Sequence, residues 1–386
     1  MDKGRRKFFR LVTAGGIGAG LSPLMAGSLA ASAKTDQETA TNIADVLKYP
    51  RNMNSMPGKY PGRVVKVRHN NPLSDNAIKE DAACLMLEEG MMGLTGTNDA
   101  SIAWRQFVKP GEAVGLKVNP IGGKLLSTSH ALVQSVISQL EQSGISRNNI
   151  VIFDRRMQHL REAGFTAENY PGIRIMATEH VDEKGSYYDE NGELYSLSKI
   201  DKDWYYWADC EMEYDDYLLP FMVNQGRYSY FSKIVTQQLD KIINMPVMKN
   251  AGASITLCLK NLGYGVITNT SRLHSTLWAE TSAEVCAFPP VRDKVVLNIA
   301  DGIRGCYDGG PGANPQFITD YKMILLGTDP VAVDMTGYDI IIGKRIEMGR
   351  QDAYSDTGEK QMKLAGELGL GVSARDRIDL RNIELA

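Results

Sequence analysis

The sequence predicts an α/β fold in which a mostly parallel sheet is flanked by helices, and three observations predict it. Short apolar runs alternate with segments of helical spacing from Arg63 onward. Ile150-Val151-Ile152-Phe153 is unbroken by polar residues, as a strand buried on both faces is. Several helical segments carry a cap or stop residue at the expected place.

Taken in order, Arg63 to Val67 reads as a strand, and Ser74 or Asp75 as the cap of a helix with Ile78, Ala82, Leu85 and Met86 on one face. A strand follows at Ala113 to Val118. Leu132, Val133, Val136, Ile137 and Leu140 then recur at helical spacing, and Gly144 is a stop. After the strand ending at Phe153, further strands are expected at Lys241 to Val247, Lys294 to Ile299 and Tyr321 to Gly327. Asp329-Pro330 supplies a cap and a first-turn proline for a helix to about Gly343. A second helix near Gly358 to Glu367 precedes a tail expected as an edge strand. There is no internal repeat.

Residues 181–220 interrupt the alternation. They hold twelve acids against three lysines, together with Trp204-Tyr205-Tyr206-Trp207, and Asn191-Gly192 marks a hairpin turn. An acidic, aromatic-rich antiparallel insertion is expected, either packed on its own small core or offered to a protein partner.

The 386 residues carry 43 Lys and Arg against 46 Asp and Glu, with no long basic run, which argues against a nucleic-acid partner. Gly4-Arg5-Arg6-Lys7-Phe8-Phe9-Arg10, a weakly apolar Gly- and Ala-rich stretch, and Ala31-Ser32-Ala33 resemble a twin-arginine signal peptide over residues 1–33. The expected location is therefore periplasmic after contact with the twin-arginine translocase, with an uncleaved membrane anchor as the alternative. Residues 34–62 read as a linker or surface strap and 63–386 as the α/β domain. Cys84, Cys210, Cys258, Cys286 and Cys306 form no Cys-x-x-Cys pair, so an iron–sulfur cluster is not expected, while a metal ion stays open as a cofactor.

In an open parallel sheet, ligands bind beyond the carboxyl ends of the strands. Lys117 and Asn119, Asp154 and Arg155, Lys249, and Asp301 followed by Arg304 all fall at such ends. Convergent cations there suit a carboxylate or phosphate, and an aspartate can take a proton. If Ser254 caps a helix, Thr256 and Lys260 share one of its faces. Lys249, Lys260, His274 and Asp301 are the candidate catalytic residues. Lys117, Asn119, Asn261, Arg304 and Asp334 are the candidates for ligand binding. Asp334 sits among apolar residues and needs either a cationic partner, expected to be lysine, or the ligand itself.

Together, the Lys117 and Asn119 strand end, the Asn244 to Lys249 strand, Leu259-Lys260-Asn261-Leu262-Gly263, Arg272-Leu273-His274, Asp301-Gly302 and Asp329-Pro330-Val331-Ala332-Val333-Asp334 resemble the family named domain of unknown function 362. The likeness spans most of residues 63 to 345. Members commonly place a histidine two residues after the strand-end lysine, where this chain has Ala251. Some also carry ferredoxin-like modules, for which this chain lacks the clustered cysteines. Two functions follow as expectations. The first is an exported metal- or cofactor-dependent enzyme, in one form redox, acting on a small anionic ligand. The second is a non-catalytic periplasmic binding or assembly protein. Gly309-Gly310-Pro311-Gly312 is no phosphate loop, because no Gly-Lys-Ser/Thr follows it.

Overall fold

A computed structural model describes residues 39–216, 218–221, 223, 226–252, 254–350 and 355–386. The expected signal at 1–33 lies outside the described residues, as do 34–38 of the expected strap and residue 217 of the insertion. The strands are β1 (Arg63–His69), β2 (Leu73–Ser74), β3 (Ala77–Ile78), β4 (Val114–Val118), β5 (Ile150–Arg156), β6 (Arg174–Glu179), β7 (Ile200–Trp207) and β8 (Tyr228–Ser232). They continue as β9 (Lys241–Met245), β10 (Val247–Ala251), β11 (Ser254–Thr256), β12 (Val295–Cys306), β13 (Ile318–Thr319), β14 (Met323–Gly327) and β15 (Asp379–Leu385).

Eleven strands form one sheet, with the path β15-β1-β14-β12-β9-β4-β5-β6 and with β10, β11 and β13 attached beside it. Every neighbouring pair on the path is parallel except the two that involve β14. The mostly parallel expectation therefore holds. β14 reverses because it follows β12 through a short connection that includes β13, with no crossover helix to turn the chain around. Alternate residues feed two cores. Val64, Val151, Phe153 and Ile242 pack on one face, whereas Val65, Val67, Ile152 and Ile243 pack on the other, so helices cover the sheet on both sides. Gly115 in β4 lets that packing close, since a Cβ there would come within 2.3 Å of Leu239 and 2.8 Å of Phe153.

Asp329 caps the helix Pro330–Glu347 by accepting from the Val331 and Ala332 N–H groups, and Pro330 occupies its first turn. The helix His130–Gln142 ends before Gly144, whose φ is +98°. The tail forms β15, an edge strand parallel to β1. Two local expectations are corrected. Ser74 and Asp75 cap no helix: Asp75 and Asn76, at φ 46° and 65°, turn the small β2–β3 hairpin, and the helix starts at Glu80. Ser254 starts strand β11, antiparallel to β10, because Ser254-Ile255-Thr256 pairs with the Lys249 to Ala251 backbone; the helix carrying Lys260 spans Cys258–Gly263.

The insertion is antiparallel, with β7 paired to β8, so its second strand lies beyond residue 220. Tyr188 and Leu194 bridge across a tight turn at Asn191-Gly192, with Gly192 at φ +79°. Residues 41 and 42 hydrogen-bond along β7, and Met56 is buried beneath the loop that follows. Among the described residues no helix is long and apolar enough to cross a membrane.

Candidate functional site

All path strands except β14 run the same way, so β4, β5, β9 and β12 present their carboxyl ends on one edge of the sheet. Two buried lysines occupy that edge. The Lys117 ammonium donates to Asp154 Oδ1 at 2.5 Å, to the Val118 carbonyl at 2.9 Å and to Asn261 Oδ1 at 3.2 Å. Burial pushes Lys117 below the ordinary lysine range, and Asp154 opposes that push. Asn261 in turn donates to Asn244 Oδ1 at 2.8 Å, and Asn244 donates to Asn298 Oδ1 at 2.9 Å. A continuous hydrogen-bonded line thus crosses β5, β4, β9 and β12 through the core, and its members satisfy one another.

Lys249 is fully buried. Its ammonium donates to Asn119 Oδ1 at 3.0 Å and to the Ile121 carbonyl. Burial pushes it down to about 7, against the pull of Cys306 and Asp301. Asp301 accepts from the Ser129 N–H at 2.8 Å and the Ile303 N–H at 3.1 Å, while burial raises its carboxyl above the ordinary range. The two lysines communicate through β4, which carries both Lys117 and, one residue past its end, Asn119.

The helix Cys258–Gly263 brings the next cation to the same edge. Lys260 is partly buried, and its Nζ lies 5.7 Å from the centre of the Tyr264 ring. No hydrogen bond or ion pair reaches that Nζ from the described residues, and burial pushes it down to about 8. Against the same Tyr264 ring packs His274, with centroids 4.4 Å apart. His274 Nδ1 lies 2.9 Å from the Thr270 carbonyl, an arrangement that places the proton on Nδ1 and leaves the Nε2 lone pair free. His274 is exposed at the rim, yet desolvation on its packed side, then Lys260 and Arg155, push its imidazole down to about 3.

Arg155, at the end of β5, completes the group. Its guanidinium donates to Thr270 Oγ1 and lies 3.5 Å from Glu179, whose carboxylate is held more closely, at 2.8 Å, by Arg156. Burial and the neighbouring Arg156 both act to lower Arg155, with Glu179 opposing them. Gly265 is required beside this wall. A Cβ there would stand 2.2 Å from Lys117 Cε and 2.3 Å from the Asn261 carbonyl oxygen.

Lys117, Asn119, Lys249, Asn261 and Asp301 thus meet along one edge, with Lys260 and His274 at its outer rim. Two candidates are not brought there. Arg304 pairs with Asp320 at 2.8 Å and bonds Asn76, because β12 runs on past Asp301 and carries it to a half-buried position away from the group. Among the described residues Asp334 has no lysine partner. Its carboxylate accepts from the Cys258 and Leu259 N–H groups at 2.7 and 3.0 Å, and burial raises it to about 7. Sequence reasoning missed Tyr264, Thr270 and His159; burial and Arg156 push His159 down to about 3. Tyr264 has the one usable signal, since it lies four residues after Lys260 on the same helical face. Among the described residues no three or more His, Cys, Asp or Glu are grouped so as to hold a metal ion, and all five cysteines are free.

Fold and site together define an α/β protein with a cationic group at the carboxyl edge of its sheet. The chain belongs to the family described as Domain of unknown function (DUF362), whose model matches residues 114–339, from the first residue of β4 into the helix that bears Asp334. A crystal structure of a Thermotoga maritima protein is similar at 6% identity and a TM-score of 0.36, covering 71% of this chain and 60% of that one. The chain thus spans well under two thirds of that neighbour. No curated protein matches.

Proposed function

We propose that this protein binds a small anion, a carboxylate or phosphate, at the carboxyl edge of the sheet and acts on it as an acid–base enzyme. The observation that carries the reading is Lys260: a partly buried ammonium that no acid among the described residues neutralises, close to His274, on which Arg155 also acts. A desolvated cation without a counterion favours an anion supplied from outside. In this reading Arg155 and Lys260 hold the anionic group, and the free Nε2 of His274 accepts a proton from the bound molecule. Lys117 and Lys249 are already satisfied by protein oxygens, so they stiffen the edge and position Asn261 and Asn119. Asp301 holds the turn at Ser129.

The same reading takes the chain to be exported by the twin-arginine route, on the strength of Arg5-Arg6 and Ala31-Ser32-Ala33. Calorimetric titration of the full chain with inorganic phosphate and with a dicarboxylate such as malonate tests the site. Lys260→Met should weaken the preferred anion by about tenfold or more while the melting temperature stays near that of the unaltered protein. A large melting loss with unchanged affinity would make Lys260 structural. Tight binding without any turnover product would favour the non-catalytic binding protein instead.

A further inference from the structure

A pocket lies on the outer flank of edge strand β6, where the insertion covers it, and shares no lining residue with the carboxyl-edge group. It encloses about 280 Å3 and is lined by Met157 and Met176 from the sheet side, by Ile234, and by three nitrogen-bearing side chains, His180, Lys199 and Lys233. That volume is close to the lower end of the roughly 300–1,000 Å3 typical of small-molecule sites. Its composition is lopsided. The walls supply thioether and aliphatic surface, and the polar lining is these three basic side chains with the neutral Ser198 and Gln238, and no acid.

Two observations show that those basic groups lack polar partners among the described residues. No ion pair reaches Lys199 or Lys233 from the described residues, although Lys199 lies 5.9 Å from the Tyr195 ring centre. His180 Nδ1 is buried with no hydrogen-bond partner. Its ring packs edge-on against Tyr195 at 4.9 Å, which fixes the direction in which it points. Burial, with Arg161 adding to it, lowers Lys199 to about 8, and burial followed by Lys199 and Arg161 lowers His180 to about 4. A buried imidazole nitrogen left unpaired carries a desolvation penalty that a ligand atom can remove.

We infer that this pocket is a binding site for a small carboxylate with an aromatic or branched apolar body, separate from the carboxyl-edge site. Met157, Met176 and Ile234 receive the body, because polarizable thioethers adapt to flat or branched apolar shapes. Lys199 and Lys233 meet the carboxylate as point charges on flexible stems. His180 Nδ1 pairs with a further polar atom, such as a hydroxyl beside the carboxylate. A phosphate alone would leave the apolar wall unfilled and in contact with water, so inorganic phosphate is the discriminating control.

Salicylate, which carries a carboxylate and a neighbouring hydroxyl on an aromatic ring, is a suitable probe. Titrated into the full chain by calorimetry, it should bind saturably at millimolar concentration or below, with phosphate unable to compete. Lys199→Met and Lys233→Met should each weaken it about tenfold or more, and Lys199→Arg should retain most of the affinity. Lys260→Met, which reports on the other site, should leave salicylate affinity in place. If a methionine variant loses its melting transition, Lys199→Gln gives the same comparison. The inference fails if salicylate does not saturate, if phosphate displaces it, or if Lys260→Met abolishes binding while Lys199→Met and Lys233→Met do not.

Discussion

The carboxylate of Asp334 caps a helix that begins 76 residues earlier in the chain: it accepts from the Cys258 N–H at 2.7 Å, and its second oxygen takes the Leu259 N–H. Negative charge at a helix N-terminus is favourable, and here it fixes the short helix that carries Lys260 and Asn261. The site is therefore positioned by a residue that never touches it. Asp334→Ala should cost about 1–3 kcal/mol, because two buried N–H groups lose their acceptor.

Asp334 also predicts a pH dependence. Burial raises its folded value to about 7, above the ordinary aspartate value of 3.8. The folded state therefore holds its proton more tightly than the unfolded chain does. The stability this contributes is complete below about 4 and is lost as pH rises through about 7. Denaturant unfolding of the unaltered protein and of Asp334→Asn at pH 5 and pH 8 checks the sign. The difference in unfolding free energy should shift in favour of Asn as pH rises, and no shift between the two pH values would mean that the carboxylate stays ionised in the folded state.

The Lys117–Asp154 pair is buried on both sides, with side chains 0% and 9% exposed. Removing one partner strands the other, so Lys117→Met alone should cost on the order of 3–5 kcal/mol. Lys117→Met with Asp154→Leu should recover much of that loss. Chemical denaturation of the two single variants and the double variant gives the coupling directly, and purely additive losses would show that the pair is not a unit.

His274 should not titrate across pH 5 to 8 in the free protein, given a value near 3. Nitrogen chemical shifts of labelled histidine should show the tautomer protonated at Nδ1. A bound anion offsets Lys260 and Arg155, so saturation with ligand should raise the value. Ordinary titration near 6.5 in the free protein would contradict the cationic surroundings described here.

For the proposed export, Arg5→Lys together with Arg6→Lys should hold the precursor in the cytoplasm, because the receptor reads the guanidinium pair as an address. Cell fractionation and immunoblotting measure this. Unimpaired appearance of the processed chain in the periplasm would remove the twin-arginine assignment.

The sheet was legible because its signals are local. Ile150 to Phe153 is apolar without interruption, Gly144 stops a helix, and Asp329-Pro330 starts one; the structure uses each of them. The failures share a cause as well. Ser254 resembled a cap, but the β-branched Ile255 and Thr256 pair with β10, and the real cap comes from Asp334, beyond the reach of any local pattern. Arg304 was drawn to the site by its distance from Asp301. β12 continues to Cys306, however, so Arg304 leaves the edge and meets Asp320. Arg155 stood out only as a strand end, since its position beside Tyr264 and His274 is set by tertiary packing.

The central claim is that Lys260, Arg155 and His274 hold an anion, and anomalous diffraction from crystals of the full chain soaked in selenate tests it most directly. The account predicts a selenium peak within hydrogen-bonding distance of the Lys260 ammonium and the Arg155 guanidinium, beside His274, and its disappearance in Lys260→Met. Selenate bound elsewhere with this rim empty, or an undiminished peak in the Lys260→Met crystal, would contradict it.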